Sequence, residues 1–131
     1  MPFYGVNMRD IMAAKVIKDG MNAFLEKGFL FEYFYERNEA GTPIYVCRFK
    51  KGKAYIDWQE TEDGEEIVIC VRAGENTSVL DLKALYPKAF RNHFWNTLFR
   101  KPTVNERRSL IAELLVEEFK SEKPDFFGIK K

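Results

Sequence analysis

Pro43-Ile44-Tyr45-Val46-Cys47-Arg48-Phe49-Lys50-Lys51-Gly52-Lys53-Ala54-Tyr55-Ile56-Asp57-Trp58-Gln59-Glu60 alternates instead of cycling: Tyr45, Cys47 and Phe49 stand two apart, as do Ala54, Ile56 and Trp58. A period of two is that of a strand with one buried face. The glycine-bearing link Lys51-Gly52 between the two runs is short enough to force an antiparallel hairpin. Placing Lys50 opposite Lys53 sets Phe49 against Ala54, Cys47 against Ile56 and Tyr45 against Trp58, apolar against apolar. A slip by one residue would turn each apolar set to the wrong face, so burial disfavours it.

The pattern extends on both sides. Strands are expected over Phe29 to Arg37, Pro43 to Lys50, Lys53 to Glu60 and Glu65 to Ala73, joined by Asn38-Glu39-Ala40-Gly41-Thr42, Lys51-Gly52 and Thr61-Glu62-Asp63-Gly64. One face then carries the rows Tyr33, Cys47, Ile56, Ile69 and Tyr35, Tyr45, Trp58, Ile67. The other carries Glu32, Arg48, Tyr55, Cys70 and Phe34, Val46, Asp57, Val68.

Upstream, Asn7 is placed to cap a helix from Met8 to Lys27, with Asp10 three residues on and Gly28 as its left-handed stop. Its apolar stripe is Ala13, Ile17, Met21, Phe24 and Leu25, and Gly20 within it costs about 1 kcal/mol relative to alanine. Downstream, Ser78 with Asp81 three residues later opens a helical stretch that Pro87 interrupts. Phe90, Phe94, Trp95, Leu98 and Phe99 form a helical stripe that is expected to face the core. Thr103-Val104-Asn105-Glu106 matches a capping box that starts a last helix through Leu110, Ile111, Leu114, Leu115 and Phe119. In the tail 124–131, Phe126, Phe127 and Ile129 predict that part of it docks. The expected architecture is α+β: an N-terminal helix, a four-stranded antiparallel meander, then two or three helices packed on the sheet's Tyr33, Tyr45, Trp58, Ile69 face, all within one domain, 1–131.

Composition excludes several classes. With 46% hydrophobic and 31% charged residues in 131, the chain is neither disordered nor fibrous. Uncharged runs such as Met1 to Met8 and Ala40 to Cys47 are only eight residues long, far short of the roughly 20 that span a bilayer. Arg9, Asp10 and Lys15 come too early for a secretory signal, so a cytoplasmic protein is expected. The net charge of +1 gives no global pull on nucleic acid or an anionic membrane. Its distribution is uneven, with six basic and eleven acidic groups over residues 29–82, and seven basic groups against Glu106 alone over 83–108.

Candidate chemistry is sparse. His93 is the one histidine and has no recognisable catalytic neighbourhood in sequence. Cys47 falls on the expected buried face, where a thiol behaves as a small hydrophobe, and Cys70 on the other, so no disulfide joins them. The acidic run Glu60, Glu62, Asp63, Glu65, Glu66 lacks the spacing of a calcium loop and reads as a solvated hairpin tip. No glycine motif cradles a phosphate. No catalytic residue, cofactor or metal ligand is therefore assigned.

A non-catalytic protein-interaction or self-associating module, with a homodimer among its forms, is the expected function. Its expected interface is the second sheet face, through Phe34, Ile44, Val46, Tyr55 and Val68, with Glu32 and Arg48 as a polar rim. The alternative is a nucleic-acid binder using the basic segment 83–108, with Arg100, Lys101, Arg107 and Arg108 on phosphates. An enzyme is the third.

Overall fold

Five strands follow one another across an antiparallel sheet in chain order: β1 (Leu30–Arg37), β2 (Pro43–Lys51), β3 (Ala54–Thr61), β4 (Ile67–Ala73) and β5 (Asn76–Leu80). The computed structural model describes residues 8–61, 64, 66–96 and 98–131. Helices α1 (Met8–Gly20) and α2 (Asn22–Glu26) precede the sheet. After it come α3 (Leu82–Leu85), α4 (Pro87–Asn96), α5 (Val104–Lys120) and a small hairpin, β6 (Asp125–Phe126) with β7 (Ile129–Lys130). The fold is α+β, as the periodicities predict, with one strand more in the main sheet.

That extra strand replaces the start of the expected helix at Ser78. Gly74, at φ 66°, turns the chain so that Ala73 faces Asn76, and the β-branched Thr77 and Val79 continue the ladder. Asp81 then caps α3, its carboxylate accepting from the Ala84 N–H at 3.2 Å.

The β1–β2 register is the expected one, with Tyr33 opposite Cys47 and Phe34 opposite Val46. The β2–β3 register is not. Lys51 faces Ala54, so Phe49 meets Ile56, Cys47 meets Trp58 and Tyr45 meets Glu60, two residues from the expected pairing. Gly52, at φ 62°, occupies the first central position of a Gly52-Lys53 turn, the position where a type II′ hairpin requires glycine. A shift of two keeps every residue on its face, so burial alone does not exclude it. The β3–β4 pairing is displaced likewise, with Trp58 opposite Ile69 and Asp57 opposite Cys70.

The core lies between the Tyr45, Cys47, Phe49, Ile56, Trp58, Ile69 face and the helices, where Ile17, Met21, Phe24, Ile111, Leu115 and Phe119 are buried. The expected single helix to Lys27 is broken at Met21. A Cβ on Gly20 would lie 3.0 Å from the Cβ of Ala112, so glycine lets α1 approach α5 closely. Beyond the break Phe24 stacks on Phe119 at 4.1 Å between ring centres. Asn7 lies outside the described residues.

The tail docks as expected, on the helical side. Phe126 and Ile129 are buried, and the Phe126 ring meets Phe24 edge-on at 5.2 Å. Phe127 (φ 49°) and Gly128 (φ 96°) make the tight turn between them. Among the described residues no helix is long and apolar enough to cross a membrane.

One expected core element is not core. Of the stripe on α4, Phe90 is half-buried, whereas Phe94, Trp95, Leu98 and Phe99 are exposed. The helix ends at Asn96, and the turn marked by the Leu98 N–H to Trp95 carbonyl bond (3.4 Å) takes Leu98 and Phe99 off the helical stripe.

Candidate functional site

Between α4, α5 and β4 lies a groove of about 800 Å³, a size that suits a small ligand or a few side chains. Ile67 and Val68 come from β4, Phe90 and Phe94 from α4, and Leu110 and Ile111 from α5. Pro87 occupies the first turn of α4, where its missing N–H costs nothing. The link from α4 to α5 is held by Arg100, whose guanidinium donates to both oxygens of Glu106 at 2.6 and 2.7 Å. Glu106 also closes the capping box: its N–H donates to the Thr103 hydroxyl at 3.1 Å, and the Thr103 N–H donates to its carboxylate at 3.2 Å. The Arg100 bonds first, and then the Thr103 amide, hold the Glu106 carboxyl down at about 2.

The end of α4 and the residues after it are open to solvent: Phe94 and Leu98, which line the groove, are 58% and 43% exposed, and Trp95 and Phe99 beside it 61% and 97%. Lys83, Arg100, Lys101 and Arg107 stand at the groove's margin, with Glu66 as the acid among its lining residues. His93, half-buried, lines it too, and neither cysteine does.

The structure places the four cations considered for nucleic acid in different settings. Arg108 is 11% exposed at its side chain and gives Nε and an Nη to Glu60 at 2.9 and 2.7 Å. Arg107 donates to the Gly64 carbonyl at 2.7 Å, and Arg100 is bound to Glu106. Lys101 is exposed.

Of the residues expected to form an interface on the second sheet face, Ile44 and Val46 are buried, whereas Phe34, Tyr55 and Val68 are half-buried. Val68 also borders the groove. Glu32 does face Arg48, but the Arg48 guanidinium bonds Asp57 through two hydrogen bonds of 2.7 and 2.8 Å and lies 4.1 Å from the Tyr55 ring centre and 5.1 Å from that of Phe34. The two-residue shift hid this pair, because the expected register set Asp57 against Val46.

Sequence reasoning also missed Glu60. Expected at a solvated tip, it is buried on the core face, accepting from the Tyr45 hydroxyl, from Trp58 Nε1 at 2.8 Å and from Arg108. The signal was present, since Glu60 lies two residues after Trp58 and shares its face. Glu62, Asp63 and Glu65 lie outside the described residues. Burial, then the bond to Glu60, drives the Tyr45 hydroxyl's pKa far up, and burial does the same to the Cys47 thiol. Both groups therefore stay protonated at neutral pH. Cys47 and Cys70 point to opposite faces with β3 between their strands, and both thiols are free. Among the described residues no group of three or more His, Cys, Asp or Glu side chains is placed to hold a metal ion.

The class these features define is an α+β domain with an open, aromatic, cation-flanked groove beside its sheet. Compared with protein-family models, curated proteins and solved structures, the chain matches none.

Proposed function

We propose that the protein is a non-catalytic interaction module whose α4 groove takes an apolar segment of a partner protein flanked by acidic residues. The observation that carries this reading is the exposure of Phe94 and Leu98 in the groove and of Trp95 and Phe99 beside it. Phe94 and Trp95 meet edge-on at 5.6 Å, and large exposed rings of this kind supply most of the binding energy at protein contacts. The partner's acidity follows from charge complementarity. Lys83, Lys88 and Arg91, on α3 and α4, have no carboxylate partner among the described residues, and Glu106 is the one acid over 83–108. A phosphate backbone is a poorer fit, because the guanidinium groups of Arg100, Arg107 and Arg108 are already bound within the chain.

The test is a fluorescence-anisotropy titration with helical peptides bearing Leu, Phe or Trp along one face and Glu elsewhere, against the same peptides with Lys for Glu and against single-stranded RNA. Saturable binding of the acidic set, weakened at least about tenfold by Trp95→Ser with Phe99→Ser, is expected. Preference for the RNA or the basic peptides overturns the reading. So does a wild-type dimer by light scattering that Phe34→Glu splits into folded monomers, since that assigns the contact to the second sheet face.

A further inference from the structure

Residues 29–82 are acidic in sum, yet five of their six basic groups, Arg48, Lys50, Lys51, Lys53 and Arg72, gather at the β2–β3 turn end of the sheet. Arg37 alone lies at the far end, where it donates to the Gly41 carbonyl at 2.8 Å. The register sorts the five further. Lys50, Tyr55 and Arg72 share one cross-strand row on the face away from the helices, and Arg48 stands in the next row beside them. Lys53 joins from the Gly52-Lys53 turn, whereas the Lys51 ammonium lies 5.5 Å from the Phe29 ring centre on the other side. Arg48, Lys50, Lys53 and Arg72 thus line a concavity of about 590 Å³ floored by Tyr55, with Glu75 as its single acidic lining residue.

The four cations are not equally occupied. Asp57 takes the Arg48 guanidinium from beneath. Arg72 gives Nε to the Gly74 carbonyl at 3.1 Å, and its guanidinium carbon lies 5.9 Å from the Tyr55 ring centre. Lys50 and Lys53 are exposed and have no carboxylate partner among the described residues. Gly52 and Gly74 sit at the rim with nothing within 4 Å of where a Cβ would be, so the entrance is open on both turn sides. Lys50, Lys53 and Arg72, the three without a carboxylate partner among the described residues, repel one another around the hollow, and a bound polyanion relieves that repulsion.

We infer that this concavity is a binding site for an oligophosphate, a chain of two or three phosphates either free or carried by a nucleotide. Lys50, Lys53 and Arg72 hold the phosphate oxygens by charge-assisted hydrogen bonds, Arg72 with its forked nitrogens and the lysines as mobile point charges. Arg48, over the Tyr55 ring and neutralised by Asp57, fixes the shape of the floor. The site is separate from the α4 groove, with which it shares no lining residue.

The experiment is an amide NMR titration of the full chain with sodium tripolyphosphate, with ATP, and with sulfate at matched ionic strength. Saturable shifts confined to residues 48–55 and 72–75 are expected with tripolyphosphate and weaker ones with sulfate. ATP tighter than tripolyphosphate assigns the ligand to nucleotides, and equal affinity assigns it to the phosphate chain alone. The variant Lys50→Gln, Lys53→Gln, Arg72→Gln, all at exposed positions, is expected to lose at least about tenfold in affinity. Lys83→Gln with Lys88→Gln and Arg91→Gln is expected to lose none. Sulfate matching tripolyphosphate, shifts spread over both basic regions, or equal losses in the two variants would each overturn the inference.

Discussion

Glu60 shows how much one residue can organise. Its two oxygens accept from Tyr45, Trp58 and Arg108, and Arg108 reaches back to the Tyr45 hydroxyl at 2.9 Å and to Asn105 Oδ1 at 2.8 Å. The network ties β2 and β3 to the first turns of α5 through groups that are nearly all buried. A satisfied buried pair adds little net stability over apolar packing, but removing one partner strands the other charge. Arg108→Met is therefore expected to cost about 3–5 kcal/mol in urea unfolding, and adding Glu60→Gln to recover a substantial part of it. A loss under about 1 kcal/mol for the single variant would show that Glu60 is relieved some other way. The alternation of β3 alone places Glu60 on the core face, so its burial was legible in sequence. Its partner was not: Arg108 comes 48 residues later on a different element, and no local pattern links the two.

At the scale of elements, the capping box of α5 was readable because its parts lie within four residues. Register was not, because burial fixes which face a residue takes and only turn geometry separates pairings two residues apart. β5 was missed for a related reason, since serine and aspartate are both capping residue types, and only the turn at Gly74 shows that Ser78 belongs to a strand and Asp81 to the cap. The box also has a pH signature. Arg100 and Thr103 stabilise the charged form of Glu106, which moves its carboxyl from an ordinary 4.5 to about 2. A carboxyl depressed by folding gives stability that is fully present above its ordinary value and is lost as pH falls from about 4.5 towards 2. Carbon-detected NMR titration of the Glu106 carboxyl is expected to give a midpoint near that lower value in the wild type and a higher one in Arg100→Gln. An unmoved midpoint in the variant would remove Arg100 as the main cause.

Across the whole molecule, aromatic residues divide into a closed set and an open one that the sequence does not distinguish. Phe24, Phe119 and Phe126 occur at helical or alternating spacing, and so do Phe94 and Trp95 on α4. The first three meet because the break after Gly20 and the tail hairpin bring them together from distant parts of the chain. Among the described residues α4 has no such covering layer, because its neighbours α3, four residues long, and the link to α5 are short. Length and periodicity therefore reveal that rings are present, and the tertiary path determines which of them are buried. Paired substitutions separate the two sets. Phe126→Ala opens a cavity against Phe24 and Phe119 and is expected to cost about 3–5 kcal/mol in urea unfolding. Phe99→Ser removes a ring almost wholly in water and is expected to change stability by less than about 0.5 kcal/mol. If Phe99→Ser destabilises as strongly as Phe126→Ala, the open cluster is in fact packed in solution, and the groove beside it is not available to a partner.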